Sequence, residues 1–393
     1  MAIEGRDEIH ARRIRYGMVG GGQGAFIGGV HRIAARIDDR FELVAGALSS
    51  TPEKAKASAA EIGLEPSRSY GSYEEMARAE KDRQDGIEAV AIVTPNHMHF
   101  PVAKTFLEAG FHVICDKPMT TTLAEARELA EIARASGKVF VLTHNYTGYP
   151  MIRQARAMIA AGELGAIRVV AAEYAQDWLA GRTEDTGSKQ AGWRVDPEKA
   201  GAGGAIGDIG THAHNLACFV TGLKVERLSA DLSSFVEGRR LDDNATMLLR
   251  FAARDGKAAK GTLWASQVAV GNENGLTLRV YGEKGGIEWC QEDPNRLWFS
   301  PLGEPKRLLT RNGAGANTAS TAVSRLPAGH PEGYLEGFAT IYADAAELIR
   351  AADEGRTPPE GLALPTIEDG IDGLAFIEAC VASSKQDGAW VAL

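Results

Sequence analysis

Near the start of the chain a short apolar run, Ile14 to Val19, breaks into Gly20-Gly21-Gly22-Gln23-Gly24-Ala25 and continues as a segment of helical spacing. A buried strand, a tight turn and a helix in direct succession are the parts of a βαβ unit. The turn fits G-x-G-x-x-G/A with Ala25 in the third place. In that pattern the first glycine makes the turn and the second lets a pyrophosphate approach the backbone. The third position is small so that helix and strand pack closely. The helix start, at Phe26, offers N–H donors and a positive dipole to an anion. Dinucleotide binding is therefore expected over Gly20, Gly22, Gln23, Gly24, Ala25 and Phe26.

The alternation continues through about residue 145. Ala25 to Ile37 is helical, with Ile27, Val30, Ile33 and Ala34 along one face. Phe41 to Leu48 is a strand, and Thr51-Pro52-Glu53 starts a helix with proline at N1. Ala89 to Val93 and Phe111 to Cys115 are strands, and Pro101 to Ala109 and Leu123 to Ser136 are helices stopped by glycine. Short apolar strands alternating with amphipathic helices require a parallel sheet covered on both faces. The right-handed crossover rule favours a doubly wound, Rossmann-type order.

After about residue 148 the texture changes. Strand-like runs such as Val225 to Asp231, Ala245 to Phe251, Ala259 to Gln267 and Leu276 to Tyr281 lie close in sequence and alternate in polarity. They predict a large, mostly antiparallel open sheet with helices on one face. The α/β chain thus divides into a nucleotide-binding domain, 1–148, and a substrate-binding domain, 149–393, whose last helices are expected to pack back on the first. At 393 residues, two domains is the natural number.

Composition removes other classes. A net charge of −9 leaves no basic excess for a phosphate backbone and disfavours anionic membranes, so neither nucleic acid nor membrane is an expected partner. No apolar run reaches the ~18 residues of a membrane helix. The mixed-charge start, Met1 to Arg15, reads as a short leader without a secretory apolar region. The four cysteines are widely spaced with no CxxC pair, which fits reduced thiols in the cytoplasm.

Further candidates follow from the rule that ligands sit at the carboxyl ends of parallel strands. The second strand ends Ala47-Leu48-Ser49-Ser50, with Lys54 a helical turn on. Hydroxyls and a cation in place of an acid favour NADP over NAD. Thr94-Pro95-Asn96-His97-Met98-His99 follows the third strand, and Asp116-Lys117-Pro118 the fourth. In the second domain, Gly203-Gly204 leads to Asp208 and His212, four apart and so on one helical face. A carboxylate beside an imidazole suits acid–base work, and the glycines would let substrate and cofactor approach the backbone. Two H-x-H pairs, His97/His99 and His212/His214, raise a metal as the competing reading. Neither has converging geometry on a helix, so no metal is expected.

In this order, the glycine turn, Asp116-Lys117-Pro118 and Gly203-Gly204…Asp208…His212 resemble the Gfo/Idh/MocA oxidoreductases, over about residues 14–350. The resemblance implies hydride transfer between NAD(P) and a hydroxyl carbon of a sugar or cyclitol, in homodimers or homotetramers built through the C-terminal sheet. By position Lys117 resembles the lysine of the family's E-K-P motif, with Asp116 in place of Glu. Asp208 and His212 match its D-x-x-x-H pair. Thr94, Pro95, Asn96 and His99 match the loop beside the nicotinamide ribose, and Trp193-Arg194 a W-R pair lining the cleft. Tyr174, Asp177, Trp178, Arg194 and His330 are the polyol-binding candidates. Two alternatives stand beside the dehydrogenase: a glycosidase or epimerase that oxidises its sugar only transiently, and a non-catalytic nucleotide sensor.

Overall fold

The computed structural model describes residues 12–393, so most of the expected leader lies outside the described residues. In chain order the first elements are β1 (Ile14–Gly20), α1 (Phe26–Ile37), β2 (Phe41–Ala47), α2 (Pro52–Glu61), α3 (Tyr73–Lys81), β3 (Ala89–Val93), α4 (His99–Ala109), β4 (His112–Cys115), α5 (Leu123–Ser136) and β5 (Phe140–Leu142). Then come α6 (Pro150–Ala160), β6 (Ile167–Ala175), α7 (Lys189–Arg194), α8 (Pro197–Ala200), α9 (Thr211–Thr221), β7 (Val225–Ser233), β8 (Asn244–Phe251), β9 (Lys260–Ser266) and β10 (Gly275–Gly282). The chain ends with β11 (Gly285–Cys290), β12 (Arg296–Pro301), β13 (Arg307–Thr310), α10 (Thr318–Thr321), α11 (Tyr334–Glu354), α12 (Ile367–Ser384) and β14 (Val391–Ala392).

The chain forms two compact units. One runs from the first described residue to Gly148 and includes Tyr334–Ile371. The other comprises Tyr149–Gly333 and Asp372–Leu393. The boundary at 148 is thus joined by two further crossings.

The first unit has a sheet of order β2-β1-β3-β4-β5 with every pair parallel. The strand order reverses between β1 and β3, the switch point at which doubly wound sheets bind ligands. β3 and β4 are buried throughout, as strands covered on both faces must be. α11 belongs to this unit because Phe338, Ile341, Tyr342, Ala345 and Ile349 recur on one face and join the core with Tyr16, Val30 and Phe41. On α1 the buried face is Gly28, Val30, His31, Ala34 and Ala35. Ile33, expected inside, is 50% exposed, and the imidazole of His31 takes the inward place.

The second unit carries a nine-stranded sheet, β13-β12-β11-β10-β6-β9-β8-β7-β14. Its pairs are antiparallel except β6 with β9. Val170, Ala172, Leu263 and Leu278 alternate inward, and Ile206, Leu216 and Val220 are buried with them. Val169, Leu248, Tyr281 and Trp298 face outward and stay exposed. No helix among the described residues is long and apolar enough to cross a membrane.

Candidate active site

The glycine turn is built for close approach. Gly20, Gly21 and Gly24 have φ of 82°, 72° and 76°, a region that side chains strain to enter. A Cβ on Gly22 would lie 2.4 Å from the carbonyl oxygen of Leu48. Helix and loop meet at Gly28, where a Cβ would lie 2.4 Å from Gly21 Cα. The small packing position is therefore Gly28. Ala25, expected in that role, is the half-buried N-cap of α1. No side chain caps α1, which leaves its first amides available to an anion. Gln23 instead bonds Glu61 through its side chain and Ser58 through its amide. Phe26 is exposed and stacks on Tyr334, with centroids 6.4 Å apart.

Two buried polar atoms at the same carboxyl edge have no hydrogen-bond partner: Thr94 Oγ1 after β3 and Asn145 Nδ2 after β5. A buried orphan costs roughly 1–3 kcal/mol, so both positions suit a polar ligand. With the glycine cradle, they fit a dinucleotide held by Gly20–Ala25 and the α1 amides. At the end of β2, Thr51 is the N-cap of α2, so neither Ser49 nor Ser50 caps it. Lys54 is exposed on that helix.

The loops after β3 and β4 are tied together by His99. Its Nδ1 lies 2.6 Å from Pro118 O and its Nε2 2.9 Å from Thr94 O. Burial depresses its pKa despite those carbonyls. Its ring therefore acts through the loops it joins, not as the direct cofactor contact expected of it. Pro95 and Asn96 start the short turn between them, with Asn96 buried. Lys117 is half-buried in the turn after β4. Asp116 beside it is engaged internally: Oδ1 accepts from Thr143 at 2.6 Å and lies 3.1 Å from His31 Nε2. Burial pushes its pKa up, but His31 and Thr143 outweigh this and hold it below the usual carboxylate range.

In the second unit the Gly203–Gly210 run forms a π-helical turn, Ile206–Gly210, that continues directly into α9. Such turns are rare and recur at functional sites. Their glycines answer to packing. A Cβ on Gly204 would lie 2.0 Å from Asp242 O, and one on Gly210 2.6 Å from Ile206 Cδ1. The fold itself, not only access for a ligand, thus demands small residues here. Asp242 accepts from the amides of Gly204 (2.7 Å) and Ile206 (2.8 Å), and burial raises its pKa to about 6.

Asp208 is held by Arg194 Nε at 3.0 Å and by Gln267 Nε2 at 2.9 Å, both on Oδ2. The Arg194 guanidinium lies over Trp193 (4.2 Å) and toward Trp178 (5.7 Å), and bonds Gln190. His212 is nearly buried with the Tyr174 ring edge-on at 6.3 Å. The Tyr174 hydroxyl donates to Asn274, which also receives Gln176; Gln176 in turn accepts from Trp178. One connected cluster thus contains Trp178, Arg194 and Asp208, and Tyr174 borders His212. Gln267, the second donor to Asp208, was invisible in the sequence because it lies 59 residues away with no motif around it.

Two polyol candidates stand apart. Asp177 accepts from the amide of Gly271 and braces that turn. His330 is exposed, and its backbone, bonded by Arg311 and to Pro327 O, belongs to the loop that Arg311 pins. The H-x-H pairs diverge: His97 is exposed while His99 is buried, and His214 stacks on Phe376 at 4.2 Å with its pKa lowered by burial to about 4.

A doubly wound sheet with this glycine turn defines a dinucleotide-binding protein. Residues 14–144 match the oxidoreductase family with an NAD-binding Rossmann fold, and residues 152–288 match the GFO/IDH/MocA C-terminal domain. The chain belongs to the GFO/IDH/MocA oxidoreductase family. An oxidoreductase from Sinorhizobium meliloti is 59% identical, with TM-score 0.89, over 97% of this chain and 100% of that one. An inositol dehydrogenase homolog from Azotobacter vinelandii is 38% identical over 98% of each chain. Its structures with NAD⁺ and with NADH and myo-inositol give TM-scores of 0.92 and 0.89. Levoglucosan dehydrogenase from Pseudarthrobacter phenanthrenivorans is 28% identical over 97% of this chain and 98% of its own length.

Proposed function

We propose that this enzyme reversibly oxidises a secondary hydroxyl of a sugar or cyclitol to the ketone. The observation that carries the reading is the half-buried Lys117 on the same sheet edge as the glycine cradle. The relatives that act on or bind myo-inositol and levoglucosan support the substrate class. A nicotinamide dinucleotide held over Gly20–Ala25 and the α1 amides would supply the hydride acceptor. His212 takes the hydroxyl proton, and Lys117 donates a hydrogen bond to the same oxygen as negative charge develops on it. Asp208, fixed by Arg194 and Gln267, orients the groups around them. Tyr174, Trp178 and Arg194 supply an aromatic and hydrogen-bonding surface suited to a polyol. The acid-free end of β2, with Ser49, Ser50 and Lys54, supports use of NADP⁺ as well as NAD⁺. The outward face of the nine-stranded sheet, with Val169, Leu248 and Trp298, supports self-association there.

The test is a panel of inositols, aldoses and anhydrosugars with both cofactors, read by the absorbance of accumulating reduced nicotinamide. Lys117→Ala and His212→Ala should each cut kcat about 10²-fold or more with cofactor affinity kept. The double variant should be little worse than the worse single, as for groups serving one step. For NADP⁺, kcat/KM should lie within about tenfold of that for NAD⁺ or above it. Full activity in either single variant would refute the site, and sugar conversion without reduced cofactor would redirect it to transient oxidation.

A further inference from the structure

We propose that His31 and Tyr342 are positioning residues for Lys117: together they hold Asp116 as a fixed anion and so fix the turn that presents the lysine. This rests on the reading of Lys117 given above, but it stands on separate geometry. His31 is fully buried. Its two ring nitrogens are both engaged, Nδ1 at 2.8 Å from the Tyr342 hydroxyl and Nε2 at 3.1 Å from Asp116 Oδ1. Burial keeps the Tyr342 phenol protonated, with Tyr16 and Asp116 adding to the effect. The imidazole thus bridges the phenol and the carboxylate, with Nδ1 on Tyr342 and Nε2 facing Asp116. Thr143 donates to the same carboxylate oxygen.

The arrangement joins three elements far apart in sequence. His31 lies on α1, the helix that opens at the glycine turn. Asp116 follows β4, and Tyr342 lies on α11, 311 residues beyond His31. Tyr342 is itself braced edge-on by Phe41 at 5.3 Å, and His31 packs on Phe338 at 5.0 Å. A buried carboxylate that lost these donors would either take up a proton or move toward water, and both change what Lys117 faces. The sequence periodicity of α1 hid this because His31 occupies a core position where an apolar residue is the usual occupant.

The test compares the full-length wild type with His31→Leu, His31→Gln and Tyr342→Phe. Lys117 is labelled with acetic anhydride and quantified peptide by peptide by mass spectrometry, with Lys104 and Lys138 as internal controls. This readout needs no substrate. In His31→Leu, Lys117 should label about threefold faster or more while the controls are unchanged. His31→Gln, whose amide can donate and accept, should return it to near the wild-type rate. With the polyol that the wild type oxidises, His31→Leu should lower kcat about tenfold with KM and NAD⁺ affinity held within about threefold. Tyr342→Phe removes one oxygen, and it carries the test if His31→Leu melts early; it should shift labelling and kcat in the same direction by a smaller factor. Unchanged labelling and kcat in a folded His31→Leu or Tyr342→Phe overturn the proposal. Loss of activity in Lys117→Ala alongside that result would leave the reading of Lys117 intact, so the two failures are separable.

Discussion

Asp242 offers a stability prediction whose sign and size follow from its surroundings. Its carboxylate is buried and accepts the amides of Gly204 and Ile206. Burial nevertheless raises its pKa from 3.8 to about 6, with Asp243 adding to the rise. The folded state therefore keeps a proton that the unfolded chain has released. Folding takes up a proton in that window, so stability falls as pH rises through it and stays low above. Two pKa units correspond to about 3 kcal/mol, of which roughly half falls between pH 5 and pH 7.5. Asp242→Asn is neutral throughout. It loses one of the two amide acceptors, a pH-independent cost of about 1–2 kcal/mol. The stability gap between wild type and variant should thus shift toward the variant by roughly 1 kcal/mol from pH 5 to pH 7.5. Urea unfolding followed by tryptophan fluorescence measures this in the right place. All six tryptophans (178, 193, 264, 289, 298 and 390) lie in the unit that carries Asp242. A gap that is the same at both pH values, or that moves toward the wild type, would refute the reasoning.

Gly28→Ala should lower the melting temperature by roughly 3–8 °C and weaken NAD⁺ binding about tenfold, because its Cβ collides with the backbone of Gly21. Gly29→Ala, with nothing within 4 Å, is the matched control and should be neutral or slightly stabilising by calorimetry and cofactor titration. Gln267→Leu removes one of the two donors on Asp208 Oδ2 and should reduce kcat by about tenfold, with the cofactor dissociation constant unchanged. Steady-state kinetics with wild-type turnover would contradict the role given to Asp208.

The parallel sheet, the glycine turn and the strand-end position of Lys117 were legible because each is written in a short window. Apolar runs, turn residues and helix stops are local, and βαβ connectivity follows from them. That Asp208 and His212 stand close together in one glycine-rich helical segment was legible for the same reason. The lost details share a different cause. β13 is an edge strand and β12 its neighbour; both have sequences of weak polar alternation and are held by pairing with β11 and each other. Gly28 replaces Ala25 at the packing contact because the helix meets the loop a turn later than the motif's spacing implies.

The sequence by itself determined the class of fold, the nucleotide turn and the chemistry available at three strand ends and one glycine-rich helix start. Tertiary structure alone decided which groups hold those residues: His31, itself bonded by Tyr342, on Asp116, Arg194 and Gln267 on Asp208, Asp242 on the π-helical turn. It also assigned Tyr334–Ile371 to the first unit. Periodicity reports which face of an element is apolar, but a hydrogen bond between side chains up to 311 residues apart exists only once packing has removed the water that each would otherwise bind.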